Sequence, residues 1–184
     1  MAIKTKNLIL VALFAALTAV GAFIKIPIGP VPITLQVMFT ALAGVLLGPY
    51  LGALSQIVYV VLGLVGLPIF TTGGGPGYVL TPTFGYLIGF IVAAFIIGLI
   101  TRRQQKLSFP IALLACLIGL LVIYAIGVPY LYLILHNVAH TPLPFSKTVI
   151  IGFVVFLPGD IAKSVLVSLL GVKILPILRL NRNH

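Results

Sequence analysis

Apolar positions along this chain do not alternate with polar ones. They run together in long blocks, separated by short basic patches or by stretches rich in proline and glycine. A surface helix would show apolar residues recurring every three or four positions, whereas unbroken apolar blocks approaching about 20 residues read as membrane-crossing helices. The blocks predict six spans, at about 7–24, 35–48, 50–65, 80–101, 109–126 and 148–172. The second and third are one nearly continuous apolar stretch divided at GPYLG (48–52). Pro49 cannot continue a helix there, and the glycines favour a tight turn. Both halves are short for about 30 Å of hydrocarbon at about 1.5 Å per residue, so a count of five spans is the alternative. The first block, with Lys4 and Lys6 ahead of it, has the form of a signal peptide. Later blocks are just as apolar, so it is read as an uncleaved first span. No internal repeat is evident, and the interrupted blocks do not fall at matching places in the two halves, which speaks against an inverted-repeat transporter.

Composition agrees with the pattern. Hydrophobic residues make up 61% of the 184, charged residues 7%, and the mean hydropathy is +1.32. A soluble domain carries about a quarter charged residues, so lipid must solvate most of this surface. The expected fold class is an all-α integral membrane protein, with residues 1–184 as a single transmembrane domain. The formal net charge of +10 would suggest nucleic acid in a soluble protein, but here the basic residues lie between apolar blocks and read as topology. Six spans put Lys4, Lys6, Arg102, Arg103, Lys106, Lys173, Arg179 and Arg182 on one side, against Lys25 and Lys147 on the other. Both termini are therefore expected in the cytoplasm. Three longer connections, 23–34, 66–80 and 126–147, fall on the outer side and hold most of the Pro, Gly and aromatic residues between spans. That unequal investment points to a ligand site near the outer face.

The chain has one acidic residue, Asp160, placed within LPGDIAKSVLVSLLG (157–171), with Lys163 three positions on. Residues i and i+3 share a helix face, and each charge at mid-membrane costs about 2.5–3.5 kcal/mol or more, so neither faces lipid. Pro158 breaks the helix just ahead, as is tolerated where backbone lines a cavity. The pair reads as a ligand anchor, as a buried ion pair that fixes packing, or as a proton relay, for which one carboxylate is a poor chain. A second acid for magnesium, a carboxylate dyad, a P-loop and a G-x-S-x-G elbow are all missing, which excludes ATP hydrolysis and leaves no enzyme chemistry in view. His136 and His140 stand four apart without further strong ligands, and Cys116 lies in an apolar block, so no metal or cofactor is expected. TTGGGPG (71–77) lacks the strand-and-helix context of a phosphate loop and reads as a flexible lid. Ala12, Ala15, Ala16 and Ala19 share one face of the first span, a small-residue stripe for close approach of a helix, either internal or from a partner. The spacings Gly44–Gly48–Gly52 and Gly85–Gly89 are assigned to internal packing.

Four motifs, VPITLQ (31–36), GLPIF (66–70) with TGGGPG after it, TPTFGYLIGF (81–90) and LPGDIAKSVL (157–166), occur in order. Together they resemble the BioY family, the biotin-specific substrate-binding (S component) subunits of energy-coupling factor transporters. The similarity runs from about residue 8 to 172. It implies a six-helix protein of the cell membrane that captures biotin from outside. It also implies a transmembrane coupling (T) subunit and a pair of cytoplasmic ATPases as partners. On the resemblance, Asp160 and Lys163 contact the biotin head group, and Thr34, Gln36, Gly73, Gly74, Gly75, Tyr78 and Tyr86 complete the ligand site. The alanine face of the first helix meets the coupling subunit. The chain departs from the family pattern at Thr81 and Phe84, where glycines are common. The rival functions are an autonomous proton-coupled transporter, an S component for another vitamin, and a membrane enzyme or scaffold.

Overall fold

The computed structural model describes residues 4–180 apart from 105 and 142, so Arg182 lies outside the described residues. Six helical rods pass up and down a bundle. They are α1 (Thr5–Phe23), α2 (Gln36–Leu47), α3 (Pro49–Leu64), α4 (Phe84–Arg102), α5 (Phe109–Asn137), and a last rod broken into α6 (Phe145–Val149), a wide turn and α7 (Leu157–Leu180). Four stretches are long and apolar enough to cross a membrane: Thr5–Phe23, Phe84–Arg102, Phe109–Asn137 and Phe145–Leu178. The helices α2 and α3 are shorter, at 12 and 16 residues. The outward surface is apolar along its length, with Leu8, Leu13, Leu114, Leu121, Leu133 and Leu169 exposed. Only lipid makes that arrangement favourable. The chain is a multi-pass membrane protein.

Gly48 makes the whole connection between α2 and α3. Its φ of +82° is one that a side chain would strain, and Pro49 then opens α3 at a position where a missing N–H costs nothing. The predicted split at GPYLG is the observed one. Gly44 and Gly52 serve packing. A Cβ on Gly44 would lie 2.8 Å from the Ala94 carbonyl oxygen, and one on Gly52 would lie 3.0 Å from that of Ala43. Gly85 and Gly89 play the same part where α4 meets α5. Gly48 turns the chain, and its backbone is the surface that Gly98 of α4 approaches.

Several expected boundaries need correcting. The third connection does not start at residue 126: α5 continues through Pro129 to Asn137, leaving only 138–144 between rods. Proline removes one backbone bond, but the surrounding bundle supports the rest of the ladder. The last rod likewise starts earlier than expected, at Phe145, and α4 starts later, at Phe84. His136 is therefore part of α5, stacked on Tyr132 at 5.8 Å, while His140 lies beyond the helix at φ 49°. They do not share a helix face.

The three longer connections gather at one end of the bundle. A two-residue hairpin pairs β1 (Lys25–Ile26) with β2 (Ile33–Thr34), setting Lys25 opposite Thr34. The second loop folds back through a bridge between Phe70 and Gly73 and ends in a 3₁₀ turn at Pro76–Leu80. The break in the last rod lies level with these loops. Val155 N–H reaches the Ile150 carbonyl at 3.2 Å across a five-residue turn, and Pro158 then opens α7.

Candidate functional site

The single acid is the place to begin. Asp160 sits in the first turn of α7, 2% exposed. Lys163 Nζ donates to its Oδ1 at 2.7 Å, and Tyr124 of α5 donates its hydroxyl to Oδ2. The same ammonium donates to the Thr34 carbonyl at 2.7 Å, tying α7 to the hairpin. Removing either partner of so buried a pair would leave an uncompensated charge costing about 3–5 kcal/mol. Each carboxylate oxygen has more than one lone pair, so the anion keeps room for a ligand's N–H.

Asp160 forms one wall of a partly open pocket between β2, α2, α4, α5 and α7. Val31, Val37, Leu87, Phe90, Ile123 and Phe156 supply apolar walls. Polar groups stand at two places. At one, Thr34 and Gln36 lie beside Asp160 and Tyr124. Thr34 Oγ1 is 3.0 Å from Gln36 Oε1, and Gln36 Nε2 is 2.9 Å from the hydroxyl of Tyr59. At the other, Tyr78 lies 2.9 Å from both Thr71 and Thr83, a row of three hydroxyls under the second loop. Lys25 donates to the Thr71 carbonyl, so the hairpin is fastened to that loop.

The break in the last rod has a local cause and a use. Tyr86 donates to the Gly152 carbonyl at 2.8 Å, and a Cβ on Gly152 would come within 2.7 Å of that hydroxyl. The wide turn thus offers a carbonyl to α4 and sets Phe156 and Asp160 in the cavity wall. Helix geometry alone would have carried them past it.

Of the expected ligand residues, Asp160, Thr34, Gln36, Tyr78 and Tyr86 line this cavity together. Lys163 stands behind Asp160, facing a smaller void among Ala41, Cys116 and Val167. Its ammonium neutralises the anchor from the rear. Gly73, Gly74 and Gly75 do not line the cavity. Gly73 and Gly75 have φ of +124° and +105°, and a Cβ on Gly74 would sit 2.1 Å from the Leu67 carbonyl oxygen. They shape the loop that carries Thr71 and Tyr78. The sequence reading missed Tyr124, Thr71, Thr83 and Tyr59. A tyrosine in an unbroken apolar block was the one available signal, because its hydroxyl must find a partner when buried.

On α1, Ala12 and Ala16 are exposed, Ala19 is half-buried, and Ala15 is 5% exposed within the core. The four alanines flank an apolar groove completed by Val58, Tyr59, Leu62, Leu67 and Ile69. A stripe read as a single face is thus divided between packing and an open surface.

The model of the BioY family matches residues 1–180. A protein from Lysinibacillus sphaericus named as a probable biotin transporter BioY is 47% identical, over 96% of this chain and 90% of that protein. The biotin transporter BioY of Thermotoga maritima is 41% identical, over 92% of this chain and 95% of its own length. A solved structure described as the S-component for biotin from an ECF-type ABC transporter superposes with a TM-score of 0.80 at 31% identity, covering 93% of this chain and 91% of that one.

Proposed function

We infer from two facts, that this chain belongs to the BioY family and that its one acid lines a largely apolar pocket, that it is a biotin-binding membrane subunit of a transporter and not an enzyme. The observation that carries the reading is the chemistry of that cavity. Biotin presents a ureido ring with two N–H donors and one carbonyl, joined to apolar rings and an apolar chain. Asp160, paired with Lys163 and hydrogen-bonded by Tyr124, accepts from an N–H. Leu87, Phe90, Ile123 and Phe156 suit the rest.

The remaining parts follow from the same premise. Six rods cross the cell membrane with both termini in the cytoplasm, which the eight-to-two division of basic residues supports. The cavity then lies near the outer face and admits biotin from outside. The sequence holds no P-loop, so energy comes from partners: a coupling subunit that meets Ala12 and Ala16 on α1, and a pair of cytoplasmic ATPases.

Equilibrium binding to the purified chain in detergent tests the reading. It expects tight, one-to-one uptake of labelled biotin that unlabelled biotin displaces. Failure to bind biotin, or preference for another vitamin that co-purifies with the chain, sinks it. For orientation, a cysteine placed at Gln104 should stay unlabelled by an impermeant reagent added to intact cells. Labelling from outside reverses the topology.

A further inference from the structure

The cavity contains one side chain whose two ends are chemically opposite, the amide of Gln36, and its neighbours fix which end points where. Tyr59, one layer behind the wall, has its hydroxyl 3.1 Å from the Ile69 carbonyl and 2.9 Å from the Gln36 amide. A backbone carbonyl only accepts, so the single phenolic proton goes to Ile69. Toward Gln36 the hydroxyl then accepts, and the amide end facing it must be the NH₂. The other end, Oε1, accepts from Thr34 Oγ1 at 3.0 Å, and Thr34 lines the cavity while Tyr59 does not. Tyr59 itself cannot swing aside. It is 0% exposed, and its ring packs edge-on against Phe70 at 5.4 Å.

We propose that Tyr59 is a positioning residue for recognition: it holds the Gln36 amide so that its carbonyl oxygen, not its NH₂, is offered to the ligand. The inference rests on the reading that the cavity takes biotin. A ureido ring has two N–H groups, and the site then presents two acceptors. One is the carboxylate of Asp160. The other is the amide oxygen of Gln36, on the far side of Thr34, whose carbonyl is itself held by Lys163. Without Tyr59 the amide is free to turn over, and an NH₂ would meet an N–H.

The test compares biotin with its two ureido N-methyl derivatives, on the parent chain, Tyr59→Phe, Gln36→Ala and the double variant, all purified in detergent. The parent is expected to prefer biotin over at least one methylated form. Tyr59→Phe should weaken biotin roughly two- to tenfold, the range for one neutral hydrogen bond, and shrink that preference. In the Gln36→Ala background Tyr59→Phe should change nothing further, because it acts through Gln36. An unchanged preference in Tyr59→Phe, or an equal loss in both backgrounds, overturns the proposal. Should Tyr59→Phe not fold, Gln36→Glu decides. Buried and protonated, that carboxyl keeps a donor toward Tyr59 and a C=O toward the cavity, so the preference should survive. A Gln36→Glu variant that binds methylated and unmethylated biotin alike overturns the proposal. A parent chain that binds no biotin fails the functional reading itself and takes this inference with it.

Discussion

The two halves of the bundle are built from different materials. Toward the loops, the buried cluster holds Tyr59, Phe70, Tyr78, Phe84, Tyr86, Phe90, Tyr124 and Phe156. Toward the termini it is aliphatic and small, with Ala43, Ala112, Ala115, Cys116, Val45 and Val167, and Phe14 as its one buried aromatic among the described residues. Large rings fill space in few, directed ways, and each buried tyrosine hydroxyl asks for a partner. They leave a cavity and line it with directed groups. Small side chains let backbones approach, as where a Cβ on Gly98 would lie 2.4 Å from the backbone of Gly48 and Pro49. On the proposed function, one half recognises and the other holds the frame. Substitutions toward the loops should therefore move affinity, and those toward the termini should move stability.

The strongest test of that division is the anchor. Asp160→Asn should weaken biotin binding by about 1.5–3 kcal/mol, the range for hydrogen bonds to a charged group, or roughly ten- to a hundredfold. It also strands Lys163, so thermal stability falls with it. Asp160→Leu with Lys163→Met removes the stranded charge and should restore the melting temperature without restoring binding. A folded double variant that binds biotin like the parent would show that the pair belongs to the frame.

Gly98→Ala probes the other half. The added methyl meets backbone, which cannot rotate away, so it should cost about 1–3 kcal/mol of stability. The folded fraction should bind biotin with parental affinity, measured beside a thermal melt. A large affinity loss at unchanged melting temperature would erase the distinction between the halves. Tyr124→Phe should have a smaller effect, about 1 kcal/mol on biotin affinity, because Lys163 still holds the carboxylate. The smallest change in binding is expected from Ala12→Leu with Ala16→Leu. These exposed positions should leave the isolated chain's affinity unaltered and abolish uptake by the assembled transporter. Joint loss of binding and uptake would place the stripe inside the frame.

Much of this was legible before any coordinates, and the exceptions have physical reasons. The apolar blocks located the rods, and GPYLG located the turn at Gly48. The lone acid in an apolar block marked a buried ion pair, since such a charge must face inward. Residues 126–137 were misread because Pro129 counts as a stop in water, where a lost backbone bond is replaced by solvent and the helix gains little by continuing. Within a bundle nothing else can satisfy the neighbouring groups, so the helix continues. Tyr124 and Tyr59 were invisible for another reason. Their partners lie 36 and 23 residues away in sequence, and no local pattern encodes which hydroxyl will meet which acceptor. The glycines of the second loop announced a special backbone, but not that its use would be to carry Thr71 and Tyr78.

The shortness of α2 and α3 has a consequence for the lipid. At 12 and 16 residues they reach about 18 and 24 Å, against about 30 Å of hydrocarbon. The turn at Gly48 and Pro49 is nonetheless level with the end of α4, since a Cβ on Gly98 would meet its backbone at 2.4 Å and a Cβ on Gly48 would lie 3.9 Å from Arg102. The missing length therefore falls at the loop end, where the hairpin and the second loop continue the chain. Backbone without helical bonds is tolerated beside hydrocarbon only where protein covers it, so there these loops must shield one another from lipid.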